Sequence, residues 1–136
     1  MKFPWINIRA GILAKPRPAI RCAFRNGSTH LPNEVLAILD TGADSTVLPK
    51  RLASLLGYSD AHLDEITAMV VGATITAWKV KDVRGAAVEI GGVWLDLSCL
   101  MFVEGTPPLL GRDVVFANFD LLMCHGETEL RRRKKK

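Results

Sequence analysis

The chain has 136 residues, 49% of them apolar and 24% charged, which suits one packed domain, leaves little length for a second and argues against intrinsic disorder. The formal net charge is +4, but Arg131–Lys136 is an unbroken basic run, so the rest of the chain carries a slight negative excess. The basic balance is therefore a property of the tail, and no nucleic-acid partner is expected of the domain. No stretch reaches the roughly 18 apolar residues of a spanning helix. The long uncharged segment Ile66–Trp78 contains Gly72 and three threonines, so no membrane partner is expected.

Taken in chain order, residues 1–17 read as an extended N-terminal arm, broken by Pro4 and Pro16 and bearing Arg9 where a leader would need an unbroken apolar run. Residues 18–126 read as the domain proper. Ala19–Phe24 is an apolar strand, and Arg25-Asn26-Gly27-Ser28 after it is a turn, because Asn-Gly tolerates positive φ. Glu34–Leu39 resumes as a strand. Pro49 suits a first helical position. Leu52, Leu55 and Leu56 fall on one helical face, and Gly57 is placed to stop that helix. Ala86–Ile90, Gly91-Gly92 and Val93–Leu97 form the clearest hairpin, two β-rich runs meeting at a two-residue glycine turn. Leu100–Val103 reads as a buried strand. A second short helix is predicted from Arg112-Asp113, with Val114, Val115 and Phe119 facing inward. Residues 127–136 read as a short strand followed by the solvated basic tail.

Three cysteines, Cys22, Cys99 and Cys124, lie far apart with no paired spacing and no adjacent histidine. They are expected to be reduced thiols packed as small apolar groups, which favours a cytoplasmic address and gives no support for a metal site. His30, His62 and His125 are isolated, and no phosphate-cradling glycine loop is present, so no metal or cofactor is expected.

The chemistry concentrates at Leu36–Pro49. An apolar strand runs directly into Asp40, then Thr41 and Gly42. A carboxylate at the end of a buried strand is costly unless it is hydrogen-bonded or used, and glycine behind it lets another backbone approach closely. By itself, Asp-Thr-Gly equally suits a plain turn at a strand end.

Two stretches together carry a stronger signal. Leu39-Asp40-Thr41-Gly42-Ala43-Asp44 with Thr46-Val47-Leu48, and Leu109-Leu110-Gly111-Arg112-Asp113 downstream, resemble the active-site loop and the C-terminal helix start of the retropepsins, the single-domain aspartic proteases of retroviruses and their bacterial relatives. The bacterial members are the nearer in flavour. The resemblance implies an all-β acid-protease fold: a closed barrel with a flap hairpin, over Ala68–Val80, and one or two short helices. It implies an aspartic endopeptidase in which Asp40 supplies one half of a catalytic pair. This chain has a single Asp-Thr-Gly, so the second carboxylate has to come from a second copy, and an obligate homodimer is implied. By the same resemblance Thr41 and Gly42 support the catalytic loop. Gly42, Ala43 and Asp44 from the loop and Val71, Gly72 and Ala73 from the flap tip meet a peptide or protein substrate, and Arg112 forms a buried ion pair with Asp44. The flap departs from the retroviral pattern in having one glycine at its tip, and Ser45 replaces the second aspartate of some retroviral loops.

Two rival readings remain: a catalytically silent dimer of the same fold acting as a peptide-binding or assembly module, and a nucleic-acid binder working through Arg131–Lys136.

Overall fold

Alternation of apolar and polar residues, punctuated by glycine turns, gives a chain built almost wholly of short strands. The computed structural model describes residues 1–10, 13–70 and 72–133, with the surroundings of all their side chains except those of 8–10, 13–16 and 70. The strands are β1 (Lys2–Pro4), β2 (Ile6–Ala10), β3 (Leu13–Arg17), β4 (Ala19–Asn26), β5 (Thr29–His30), β6 (Val35–Leu39), β7 (Thr46–Pro49), β8 (Leu63–Val70), β9 (Ala73–Val80), β10 (Ala86–Ile90), β11 (Val93–Asp96), β12 (Leu100–Val103), β13 (Leu109–Leu110), β14 (Phe119–Cys124) and β15 (Glu127–Arg132). Helix α1 (Leu52–Leu55) follows β7, a 3-10 turn at Asp60–His62 precedes β8, and α2 (Arg112–Asn118) lies between β13 and β14. No helix among the described residues is long and apolar enough to cross a membrane.

The main sheet runs β11-β10-β4-β6-β13-β7-β12-β9-β8, with β5 paired to β4. The expected all-β class holds, but the sheet does not close into a barrel. Its path ends at β11 on one side and β8 on the other, and Asp96 on β11 and Asp64 and Glu65 on β8 keep both edges in water. The predicted glycine hairpin is present, with Ile90 opposite Val93 and positive φ at Gly91 and Gly92, the conformation that turn needs. The flap hairpin is longer than expected: β8 and β9 pair from Leu63↔Val80 to Val70↔Ala73.

The core is a continuous set of fully buried side chains from β4, β6, β10, β12, β13 and α2, including Ile20, Phe24, Val88, Ile90, Phe102, Leu110 and Val114. Tyr58 packs on Phe102 with ring centroids 5.8 Å apart. Two helical expectations are corrected. Pro49 is the buried last residue of β7 rather than the first residue of a helix; it has no N–H to give, and the next residue, Lys50, donates to the Val103 carbonyl at 2.9 Å. Helix α1 is a single turn, so its apolar stripe is narrow: Leu52, Ala53 and Leu56 are buried while Leu55 is 49% exposed. Phe119 is buried as predicted, but as the first residue of β14.

The described residues among 1–17 form β1, β2 and β3. β2 and β3 pair with each other, and β1 pairs with β15 to make a smaller sheet ordered β1-β15-β14. Trp5 anchors this corner by donating its Nε1–H to Thr128 Oγ1 at 2.9 Å. All three cysteines are free thiols. Cys22 is buried in the core, and burial with the nearby Glu89 and Glu34 carboxylates pushes its thiol up to about 12, so it is inert at neutral pH. Cys99 is half-buried, and Cys124 is exposed on β14 rather than packed.

Because Phe102 is fully buried where β12 meets both β7 and β9, Phe102→Ala is expected to cost about 3–5 kcal/mol. Denaturant unfolding checks this; a loss under about 1 kcal/mol would contradict the packing described.

Candidate active site

Asp40 follows directly on β6. β13 is only two residues long, yet it lies between the strands flanking the loop, pairing parallel with β6 and antiparallel with β7. The Asp40 N–H donates to the Leu110 carbonyl at 2.9 Å, so the last ladder bond fixes the residue that carries the carboxylate. Beyond it the chain turns. Ala43 N–H donates to the Asp40 carbonyl at 3.2 Å, and Gly42 N–H donates to Asp40 Oδ1 at 3.0 Å. A Cβ at Gly42 would sit 3.4 Å from that oxygen, at the edge of what the turn tolerates.

The loop is gripped from behind by the start of α2. Gly111 lies so close to Ser45 that an added Cβ would come within 2.5 Å of its carbonyl oxygen. Arg112 N–H donates to the Ala43 carbonyl at 2.8 Å, and its guanidinium donates to Asp44 Oδ1. Asp113 Oδ1 accepts from Thr46 Oγ1 at 3.2 Å, with Thr46 fully buried. Three consecutive residues of the helix start thus meet consecutive residues of the loop. The resemblance implies a buried ion pair, and this is corrected: the Asp44 side chain is 84% exposed and that of Arg112 is 50% exposed. Such a pair contributes at most about 1 kcal/mol and is screened by salt. The backbone contacts carry the grip.

Asp113 and Thr46 are the site-supporting pair that sequence reasoning missed; the sequence places Asp113 only at the start of the second helix. Burial raises the Asp113 carboxyl above its ordinary range, partly offset by the bond from Thr46, and its Oδ2 is buried without a partner among the described residues. Ser45 donates its hydroxyl to Cys99 Sγ at 3.1 Å.

In front of the loop lies an open cleft of about 620 Å³. Asp40, Gly42, Ala43 and Asp44 form one side, and Ala68, Met69 and Ile75 of the β8–β9 hairpin form another. Apolar side chains of Val47, Met101, Val103 and Leu109 line the remainder. Thr41 is exposed beside it. At the hairpin turn, Gly72 has φ +75° and is exposed, as is Ala73, and neither lines the cleft; Val71 lies outside the described residues. A second hollow of similar size, about 640 Å³, lies beyond the Glu104-Gly105 loop, between Lys50, Arg51 and Tyr58. Its two carboxylates, Asp60 and Glu104, are both exposed. In the first cleft Asp40 is half-buried and hydrogen-bonded within its loop, beside an apolar wall on which a peptide side chain can lodge.

Residues 24–114 match the family model described as "Aspartyl protease". No curated protein matches the chain. Among solved structures, a retropepsin-like aspartic protease from Rickettsia conorii is 17% identical, with a TM-score of 0.63 over 94% of this chain and 97% of that one. EIAV protease complexed with the inhibitor HBY-793 is also 17% identical, with a TM-score of 0.52 over 81% of this chain and 93% of that one. Identities this low speak to fold, and the fold is retropepsin-like.

Two outcomes are expected of the loop's support. Gly111→Ala drives a methyl into the Ser45 backbone and should cost about 2–3 kcal/mol or more, read by thermal or denaturant unfolding. Unchanged stability would mean that the loop and helix start are not in contact. For Asp113, a folded-state value raised above the unfolded one gives stability that is complete below about pH 3.8 and is lost as pH rises through the raised value. Asp113→Asn keeps an acceptor for Thr46 and removes that loss. Its melting temperature at pH 7 should exceed the parent's by on the order of 1–3 °C, and the difference should vanish in acid. A variant less stable than the parent at pH 7 would contradict this.

Proposed function

The chain belongs to the aspartyl protease family, and we propose on that premise that it is an aspartic endopeptidase whose catalytic pair is Asp40 from each of two identical chains. One observation supports this most: Asp40 is held rigidly at the end of a buried strand, at the mouth of an apolar cleft, with no second strand-end carboxylate in that cleft. A lone carboxylate can act as a base or as an acid, but hydrolysis of an amide without a metal or covalent intermediate needs both. Two adjacent carboxyls cannot both ionise, so they share one proton, and their titration belongs to the pair. The ionised member takes a proton from water as it attacks the scissile carbonyl. The protonated member stabilises the developing oxyanion and then supplies the proton that the leaving amine requires.

In this reading Thr41, exposed and adjacent to Asp40, gives its hydroxyl to the partner loop and fixes the two carboxyls against each other. Gly42, Ala43 and Asp44 meet the main chain of an extended peptide, which is held like an added strand. The β8–β9 hairpin closes over it. Met69, 89% exposed in the single chain and lining the cleft, gains cover on closure, and Val71, Gly72 and Ala73 reach the substrate from the turn. Arg112, paired with Asp44, and the Asp113–Thr46 bond hold the loop in place while this happens. Three free thiols, one of them exposed, fit a reducing compartment such as the cytoplasm.

Cleavage of a peptide library at mildly acidic pH tests the proposal. Asp40→Asn keeps the shape and the hydrogen-bond acceptor and should lower the rate by at least about 100-fold, and a pepstatin-type inhibitor should block what the parent does. Undiminished cleavage by Asp40→Asn would overturn the assignment. A parent that dimerises and binds peptide but never cuts would leave the silent peptide-binding module in its place.

A further inference from the structure

Away from the Asp40 loop, the largest concentration of uncommitted charge lines the second hollow, of about 640 Å³. The hollow forms where two parallel strands leave the main sheet together. β7 and β12 run side by side with Pro49 opposite Val103, and Lys50 N–H donates to the Val103 carbonyl at 2.9 Å. The residues that follow each strand are therefore neighbours: Lys50 and Arg51 after β7, Glu104 and Gly105 after β12. The single turn of α1 comes next. Gly57, at φ +80°, ends it, and Tyr58 N–H returns to the Ala53 carbonyl at 3.0 Å, which brings Tyr58, Ser59 and Asp60 to the same hollow.

The lining has two characters. Pro49, Ala53 and Tyr58 are buried and give it an apolar floor. Around them stand four charges, two of each sign: Lys50, Arg51, Asp60 and Glu104. Elsewhere on the surface, opposite charges that come near each other pair, as in Arg84–Asp82, Arg131–Glu129 and Arg133–Asp120. None of the four charges of the hollow forms an ion pair among the described residues. Lys50 is instead drawn to the Trp78 ring, with Nζ 4.9 Å from its centroid. Sites for small molecules run to roughly 300–1,000 Å³, mostly apolar with a few polar groups that fix orientation. A ligand of one sign meets repulsion here as well as attraction. A ligand that carries both signs, suitably spaced, gains from each pair.

We propose that this hollow is a second binding site, for a short peptide with both ends free: its terminal carboxylate meets Lys50 and Arg51, and its terminal ammonium meets Asp60 and Glu104. An apolar side chain of the peptide rests on the floor. The peptide group between the ends supplies the partner that the Tyr58 hydroxyl, buried and unbonded among the described residues, does not have. The site is separate from the Asp40 cleft and stands whether or not the chain cuts peptides. Under the catalytic reading, short peptides with free ends are products of the reaction, and the Glu104-Gly105 turn is a wall common to both hollows, since Val103 before it and Thr106 after it line the Asp40 cleft.

Titration of the full chain with the dipeptide alanyl-leucine, followed through backbone amide shifts by NMR, tests the site. Saturable shifts are expected at Ser54, Ser59 and Gly105, with a Kd of about 1 mM or tighter. Acetylating the amine of the dipeptide, or amidating its carboxylate, should each weaken binding at least about fivefold. Arg51→Gln and Glu104→Gln, both at exposed positions where the fold is not at risk, should each weaken it at least about threefold. Three results would overturn the proposal: no shifts at 10-fold higher peptide than that Kd, shifts confined to Gly42, Ala43 and Met101 in the Asp40 cleft, or blocked dipeptides that bind as well as the free one. The second of these leaves the catalytic reading standing, and loss of peptide cleavage has no bearing on the first or third.

Discussion

The loop that bears Asp40 has no regular structure of its own, and everything proposed for it depends on how it is held. The hold is a mating of two short sequences far apart in the chain. Gly111 has no side chain because the Ser45 backbone occupies that space, Arg112 reaches the Ala43 carbonyl and the Asp44 carboxylate, and Asp113 reaches the buried Thr46 hydroxyl. β13 inserts between the strands on either side, so the loop is splayed open toward the cleft while its back is fixed to the core. A carboxylate positioned this way is preorganised, and the backbone contacts matter more than the exposed ion pair because solvent does not screen them.

Much of the architecture was legible from local signals. Asn26-Gly27 and Gly91-Gly92 mark turns where glycine takes the positive φ that was expected, and the runs on either side of them became strands. Leu100–Val103 reads as buried because it is uniformly apolar, and it is a central strand. What was not legible is long-range or depends on a balance of weak preferences. Pro49 suits a helix start and a strand end equally well, and pairing with Val103 decided the matter. Leu55 fits a helical stripe on paper, but a single turn cannot bury that much of its circumference. Closure of the sheet depends on whether its two end strands can meet, and nothing in either strand alone says that they do not. The Thr46–Asp113 bond spans 67 residues, and only the folded chain reveals it. The cleft of the single chain draws Ala68, Met69 and Ile75 from the hairpin wall, residues to which the glycine at the tip gives no pointer.

The small sheet has a different logic from the large one. Each chain supplies β1, β15 and β14 itself, with Trp5 and Thr128 locking the corner, so no strand from another copy is needed to complete it. The outer edge of β14, joined through α2 to the Asp40 loop, carries the exposed Leu122 and Met123 and pairs with no strand among the described residues. Under the proposed pairing of two Asp40 loops, activity would be lost on dilution and gained on concentration.

The central claim is that one chain holds half of a catalytic site. Mixing the parent chain with Asp40→Asn in varying ratios, at a fixed total concentration that supports cleavage and under conditions that let subunits exchange, tests this directly. If each active site needs both carboxyls, activity falls with the square of the parent fraction, to about one quarter in an equal mixture. A linear fall, to about one half, would mean that each chain works alone, and would contradict the account.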